Sequence, residues 1–324
     1  MAHHVTLIPG DWIGPETCAV VQEIIAHVGV DIHWDTQIIG EDGLTDDILA
    51  SCRRNRVVLK AKTDSHRVPG QLPPTILLRK ALGLWATIRP IQALPGFGAR
   101  FPGLDLIVVR ETSEDIYSGI EHEVTDGVYE AVKVTTRAAC ERISRLAYEH
   151  ARRCGRSKVT IVHKSNIMKQ SDGMFLQVAR EIGLGFPDIE TDDVIVDALC
   201  MRMVRDPRQF DVLLALNLFG DIVSDLASGL AGGITASPSA SHGSGIALFE
   251  NPHGKAPELV GTGRANPIPM LRSAVLMLEH LGEKEAAERI ERALLSACEA
   301  GLQTVERGGE DGCAAVKEAL LALL

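Results

Sequence analysis

For almost its whole length the chain alternates short runs of β-forming residues with stretches of helical periodicity. That alternation restricts the fold more than any other feature, because it builds a mainly parallel sheet with helices on its faces. Val5 to Ile8 reads as a strand, and Pro15 then opens a helix with Val20, Val21, Ile24, Ile25 and Val28 on one stripe. Val57 to Lys60, Leu84 to Ile88, Leu106 to Val109, Val159 to Val162 and Val212 to Leu216 read as further strands. Helices are predicted at about 45–53, 74–82, 137–154, 173–182, 194–205 and 221–231. After residue 266 the pattern is all helical, with Pro269 to His280, Glu283 to Gly301 and a last amphipathic segment to Leu324. Between Ile120 and Val134 two β-rich stretches flank Asp126-Gly127, a hairpin signal, and a hairpin protruding from an α/β body often serves as an oligomer clasp. No internal repeat or long linker divides the chain, so any domain boundary must be a sheet that the chain enters, leaves and re-enters.

With 324 residues, 45% of them hydrophobic and 23% charged, the chain can bury a large core in one big or two medium domains. Its net charge is −10 with no block of five like charges, which argues against a nucleic-acid footprint. Apolar runs such as Val212 to Leu216 are far short of the roughly 20 residues that span a bilayer, and no signal-peptide core precedes the strand at Val5. A soluble, cytoplasmic protein is expected. The seven cysteines are odd in number and scattered without CxxC spacing, so neither a disulfide framework nor a zinc cage is indicated.

No G-x-G-x-x-G joins a strand to a helix, so a Rossmann domain is not expected, and the P-loop and G-x-S-x-G signatures are also missing. The most informative local pattern is Asn217-Leu-Phe-Gly-Asp221-Ile-Val-Ser-Asp225 after the strand ending at Leu216. Asp221 and Asp225 are four apart, so on a helix both carboxylates leave one face near the carboxyl end of a strand. Such a pair suits Mg²⁺ or Mn²⁺, yet it equally suits the first turn of a helix, whose dipole favours acids; spacing alone leaves both readings open. Arg79, Arg89 and Arg110 lie at or beside element ends in an acidic chain. Arginine forks bind carboxylates, and beside a divalent metal three of them suggest a small di- or tricarboxylate, although each taken singly could be an ordinary ion-paired surface residue. Tyr117 and Lys164 are candidate proton-transfer groups if they sit beside cations and metal.

In these residues the chain resembles the metal-dependent β-decarboxylating dehydrogenases acting on isocitrate, homoisocitrate, 3-isopropylmalate and tartrate. The resemblance runs from about Val5 to Gly282. It is carried by Leu7-Ile-Pro-Gly-Asp-Trp-Ile-Gly-Pro-Glu16, Leu78-Arg-Lys-Ala-Leu-Gly-Leu-Trp-Ala-Thr-Ile-Arg-Pro90 and Val109-Arg-Glu-Thr-Ser-Glu-Asp-Ile-Tyr-Ser-Gly-Ile-Glu-His122. Val162-His-Lys-Ser-Asn-Ile-Met168, Val196-Asp197, Asn217 to Asp225, and His253-Gly-Lys-Ala-Pro-Glu258 through Ala265-Asn-Pro267 follow in the same order. The resemblance implies an α/β fold that is not Rossmann, with two domains sharing a mixed sheet: a large cofactor-side domain of 1–84 and 233–324, and a small domain of 85–232 with the dimerisation hairpin near 120–135. It implies that Arg79, Arg89 and Arg110 clamp the malate carboxylates, and Thr75, Ser65, Arg67 and Asn166 are further candidates to face substrate. Asp221 and Asp225, with Asp197 from the partner subunit, would hold Mg²⁺ or Mn²⁺. Lys164, also from the partner, would help remove the hydroxyl proton, and Tyr117 would supply a proton to carbon after CO₂ is lost, so a homodimer with shared active sites is implied. His253, Gly254, Ala256, Glu258 and Asn266 would bind the dinucleotide, and Glu258-Leu259, where NADP-preferring members carry Lys-Tyr, favours NAD because a carboxylate repels a 2′-phosphate.

The segment before Arg79 departs from the family. Pro73 and Thr75 stand where isocitrate enzymes resemble S-x-N, and Lys62, His66 and Arg67 bring cations to a loop that usually has glycines and prolines; Arg202 stands where an amide is usual. These cations are either surface charge or readers of an anionic 3-substituent, as in isocitrate, homoisocitrate or a phosphonate analogue, 3-(phosphonomethyl)malate. Trp12 replaces the usual glycine of the first loop. A non-catalytic regulatory subunit is the reading from another class, and Tyr117, Lys164, Asp197, Asp221 and Asp225, all present, argue for an active enzyme.

Overall fold

The computed structural model describes residues 2–64, 72–233, 237–251 and 254–324. In chain order the elements are β1 (His3–Ile8), α1 (Gly14–His27), β2 (Ile32–Thr36), α2 (Asp46–Asn55), β3 (Val57–Lys60), α3 (Pro74–Ala81), β4 (Leu84–Gln92) and β5 (Asp105–Glu111). There follow β6 (Glu121–Thr125), β7 (Val128–Ala131), α4 (Arg137–Arg153), β8 (Lys158–His163), α5 (Ser171–Gly183), β9 (Glu190–Ile195), α6 (Val196–Arg205), β10 (Val212–Ala215) and α7 (Asn217–Leu230). The chain ends with β11 (Ser239–Gly243), β12 (Ala247–Glu250), α8 (Ile268–Leu281), α9 (Lys284–Glu299) and α10 (Cys313–Leu321).

Two compact units result, one of Met1–Leu84, Ala93–Pro102 and Ala231–Leu324, the other of Trp85–Gln92 and Gly103–Leu230. In the first, β2, β1, β3 and β12 pair in parallel in that order, and β11 runs antiparallel to β12. Side chains alternate across these strands, so Val5, Leu7, Val57, Leu59 and Phe249 meet the apolar faces of α1, α8 and α9 on one side. Ile8, Val58 and Leu248 meet α2 and α3 on the other. In the second unit β4 is antiparallel to β5, and β5, β10, β8 and β9 continue in parallel, with α4 and α5 covering one face. The mixed α/β class expected from the alternation is the observed one.

Four strands carry too weak a pattern to be read from the sequence. β2 and β9 end their runs of strands, and their compositions, Ile-His-Trp-Asp-Thr and Glu-Thr-Asp-Asp-Val-Ile, are those of edge strands kept polar against further pairing. β11 and β12, Ser-Ala-Ser-His-Gly and Ala-Leu-Phe-Glu, lack the β-branched residues that mark the equally short β3 and β10. The helix expected from about residue 221 begins at Asn217 instead, so Asp221 and Asp225 lie beyond its first turn, which holds no acid. This removes the cap reading of the pair, because the dipole acts mainly within that turn.

Candidate active site

In the second unit Arg110, one residue before the end of β5, is in register with Ala215 of β10, and α7 starts two residues after Ala215. Strand end and helix start are thus neighbours, and the Arg110 stem lies directly on α7. A Cβ at Gly220 would fall 2.6 Å from Arg110 Cγ and 2.8 Å from its Cβ, so only glycine admits this approach. The guanidinium then donates from Nε (3.0 Å) and Nη2 (2.7 Å) to Asn217 Oδ1, and from Nη1 to Asp221. Tyr117, on a single 3₁₀ turn (Ile116–Ser118), donates its hydroxyl proton to Asp221 Oδ2 at 2.6 Å, with Arg110 5.2 Å from its ring centre. Burial raises the Tyr117 pKa, and the hydrogen bond to Asp221 and that residue's charge raise it further. One helical turn on, Arg89 of β4 donates from Nη1 to Ser224 Oγ (2.8 Å) and Asp225 Oδ1 (2.7 Å). Its Nε is buried and has no hydrogen-bond partner among the described residues, a donor that an incoming carboxylate could satisfy.

Lys164 and Asp197 form a separate pair at 2.6 Å (Nζ to Oδ1) in the same unit, and this bond holds the Asp197 carboxyl below its ordinary pKa. The Lys164 N–H donates to Oδ2 of the fully buried Asp172 at 2.7 Å, and Asn166 is exposed on the turn after β8. Asp221 and Asp225 present exposed oxygen donors of the kind Mg²⁺ and Mn²⁺ take, but among the described residues no group of three possible metal ligands occurs in one chain.

The first unit contains a second charged cluster. Lys60 and Glu250 are register partners at the ends of β3 and β12, on the face covered by α3, and Lys60 Nζ donates to Glu250 Oε2 at 3.1 Å. Arg79, near the end of α3, donates to the other carboxylate oxygen. Burial alone would raise the Glu250 pKa, but Arg79 and Lys60 outweigh it and hold it at about 2; burial lowers that of Lys60. Neither Lys60 nor Glu250 was singled out from the sequence, and the only signal was a charge closing a fully buried strand. Thr75 Oγ1 lies 3.4 Å from Thr63 Oγ1.

A cavity of about 440 Å³ in the same unit is lined by Gly254, Ala256, Glu258 and Asn266, together with Arg264 and Glu306, which sequence reasoning missed. Asn266 Nδ2 donates to Glu306, and Asn266 Oδ1 accepts the Ile268 N–H at the start of α8. Trp12 has a left-handed φ of 51°, and its ring centre lies 4.7 Å from Lys255 Nζ, which also bonds Asp64 at 3.1 Å. Ser65, His66, Arg67 and His253 lie outside the described residues. Lys62 is half-buried. Arg202, which the sequence left as either surface charge or a substrate reader, donates to Gln209 Oε1 (2.8 and 2.6 Å) and lies over the Phe210 ring.

Fold and groups together are those of a β-decarboxylating dehydrogenase. The chain belongs to the isocitrate/isopropylmalate dehydrogenase family, whose model matches residues 4–320. It is 41% identical over 318 residues to the alpha chain of the mitochondrial NAD isocitrate dehydrogenase of Homo sapiens, covering 95% of this chain and 87% of that protein. It is 39% identical over 320 residues to a regulatory chain of the mitochondrial NAD isocitrate dehydrogenase of Dictyostelium discoideum, covering 98% and 90%. The solved isocitrate dehydrogenase of Methylococcus capsulatus superposes with a TM-score of 0.91 at 43% identity, covering 99% of both chains. The cytoplasmic location expected from the sequence is corrected by these comparisons, since the human and Dictyostelium relatives are both mitochondrial.

Proposed function

We propose that the protein catalyses the NAD-dependent oxidative decarboxylation of isocitrate, a 3-substituted malate with an anionic substituent, to a 2-oxo acid and CO₂. The meeting of Arg110, Tyr117 and Asp221, with Arg89 on Asp225 one turn further along α7, is the observation that carries this reading. Arg89 and Arg110, with Arg79, take the substrate carboxylates. Asp221 and Asp225, with the partner subunit's Asp197, would hold Mg²⁺ or Mn²⁺, which would supply Lewis-acid polarisation of the substrate oxygen. The partner subunit's Lys164 takes the hydroxyl proton as C2 is oxidised, and NAD bound in the cavity of the first unit would supply the hydride acceptor. CO₂ departs from the resulting β-keto acid, and Tyr117 delivers its hydroxyl proton to C3 of the enolate. Glu258 and Glu306 in the dinucleotide cavity favour NAD, because a 2′-phosphate would be repelled there despite Arg264.

The shared site rests on exposed apolar surface. Met201 and Val204 on α6 and Ile222 on α7 are about half exposed beside Asp197, Asp221 and Asp225. The β6–β7 hairpin exposes Val124, Val128 and Tyr129, and a lone two-stranded sheet is marginal in water. A second copy covering these faces brings Asp197 and Lys164 to the neighbouring Asp221 and Asp225, so we infer a homodimer.

The test is steady-state turnover of isocitrate, homoisocitrate, 3-isopropylmalate and 3-(phosphonomethyl)malate with Mg²⁺ and either NAD or NADP. Isocitrate with NAD should give the highest kcat/KM. A higher value for 3-isopropylmalate or with NADP defeats the reading, and no turnover of any substrate favours a non-catalytic, regulatory role.

A further inference from the structure

Asp115 is buried, 3% exposed, and its backbone has φ 73° and ψ −153°, a region that only glycine enters without strain. A side chain persists there only where its surroundings over-determine it. Here its carboxylate receives two backbone N–H groups from different elements. Oδ1 accepts from Ile116 at 2.8 Å, capping the 3₁₀ turn that carries Tyr117, and Oδ2 accepts from Leu218 at 3.1 Å, in the first turn of α7. The carbonyl of Asp115 takes the Ser118 N–H (3.2 Å) and hydroxyl (2.9 Å), and its own N–H donates to Val134 O at 2.9 Å.

Leu218 lies three residues before Asp221 on α7, and Ile116 lies one before Tyr117. A single carboxylate therefore ties the root of the Tyr117 turn to the root of the helix segment bearing Asp221, and the loop closes through the 2.6 Å bond between Tyr117 and Asp221. We propose that Asp115 is a positioning residue for Tyr117, its carboxylate holding the phenol in register with α7 so that the proton is delivered to substrate carbon. This rests on the reading of Tyr117 as the proton donor.

Glycine suits the backbone of position 115 better than aspartate does, but it cannot accept either N–H; asparagine tolerates positive φ and retains one acceptor. The proposal therefore expects Asp115→Gly to lower kcat about 100-fold and Asp115→Asn about 10-fold, as small misplacements of reacting groups do, with KM for isocitrate little changed. The experiment measures both variants alone and in a Tyr117→Phe background, with thermal melting of each. It also follows enzyme-catalysed solvent-deuterium exchange into C3 of the 2-oxo acid product by NMR, a step that needs the proton donor but no hydride transfer.

If Asp115 acts through Tyr117, its substitutions change kcat and exchange by less than about twofold once Tyr117 is Phe. Equal losses in both backgrounds, an effect confined to KM, or an Asp115→Gly enzyme as fast as the parent overturns the proposal. Should the glycine variant melt below the assay temperature, the near-isosteric Asp115→Asn decides by the same comparison. Full kcat and exchange in Tyr117→Phe alone overturns the underlying reading of Tyr117, a result distinguishable from additivity.

Discussion

Replacing Glu250 with Gln would break the buried ion cluster at the ends of β3 and β12 without changing its shape. The Glu250 carboxyl is held at about 2 against an ordinary 4.5, because the charges of Arg79 and Lys60 more than reverse the opposing effect of burial. At about 1.36 kcal/mol per pKa unit this difference corresponds to about 3 kcal/mol. The group is buried, so solvent screening takes little from that figure, which also lies in the range of about 3–5 kcal/mol for a buried pair losing one partner. A folded-state pKa below the unfolded one contributes stability that is complete above about pH 4.5 and is lost as pH falls towards about 2. Glutamine does not titrate, so subtracting the variant's stability from the parent's isolates this carboxylate from all others. Urea unfolding at a series of pH values should give a gap of about 3 kcal/mol at pH 6 that shrinks to less than about half by pH 3 and is nearly gone at pH 2. A gap under about 1 kcal/mol at pH 6, or one that stays constant down to pH 3, would refute the reasoning.

Gly220→Ala should push the Arg110 stem off α7, lowering kcat/KM about 10- to 100-fold and costing about 1–3 kcal/mol of stability; parent-like kinetics would mean that the close approach is dispensable. Asp221→Asn and Asp225→Asn should each weaken Mn²⁺ binding and substrate binding together by calorimetry, since one ion serves both, and full turnover in EDTA after exhaustive dialysis would sink the metal assignment. Mixing Lys164→Met with Tyr117→Phe subunits, each retaining only a small residual turnover, should restore activity well above either alone, because each hybrid would have one intact site. No recovery after verified subunit exchange would show that each site is built from a single chain.

Much of this protein was legible from local periodicity alone. The run Val57 to Lys60 and the apolar stripe of α1 are set by side-chain repeat, which the chain carries whether folded or not. The i, i+4 spacing of Asp221 and Asp225 placed both carboxylates on one helix face once α7 existed, and the ordered motifs named the other candidate groups. β9 was missed because three acids and a threonine obscure any alternation, and its strand geometry comes from pairing with β8. Whether Asp221 is a cap or a ligand depended on α7 beginning at Asn217, which a sequence window near residue 221 does not reveal. Arg202 carried the charge of a substrate reader, but Gln209 and Phe210 occupy it. Lys60 and Glu250 are 190 residues apart and become partners only through the parallel register of β3 and β12. The sequence by itself determined the element types, the α/β class and the identity of the chemical groups, because these follow from short-range pattern. Only the tertiary structure decided which charge neutralises which, why position 115 tolerates a left-handed aspartate, and which glycine admits an arginine stem, because those depend on contacts between chain segments whose separation carries no local signal.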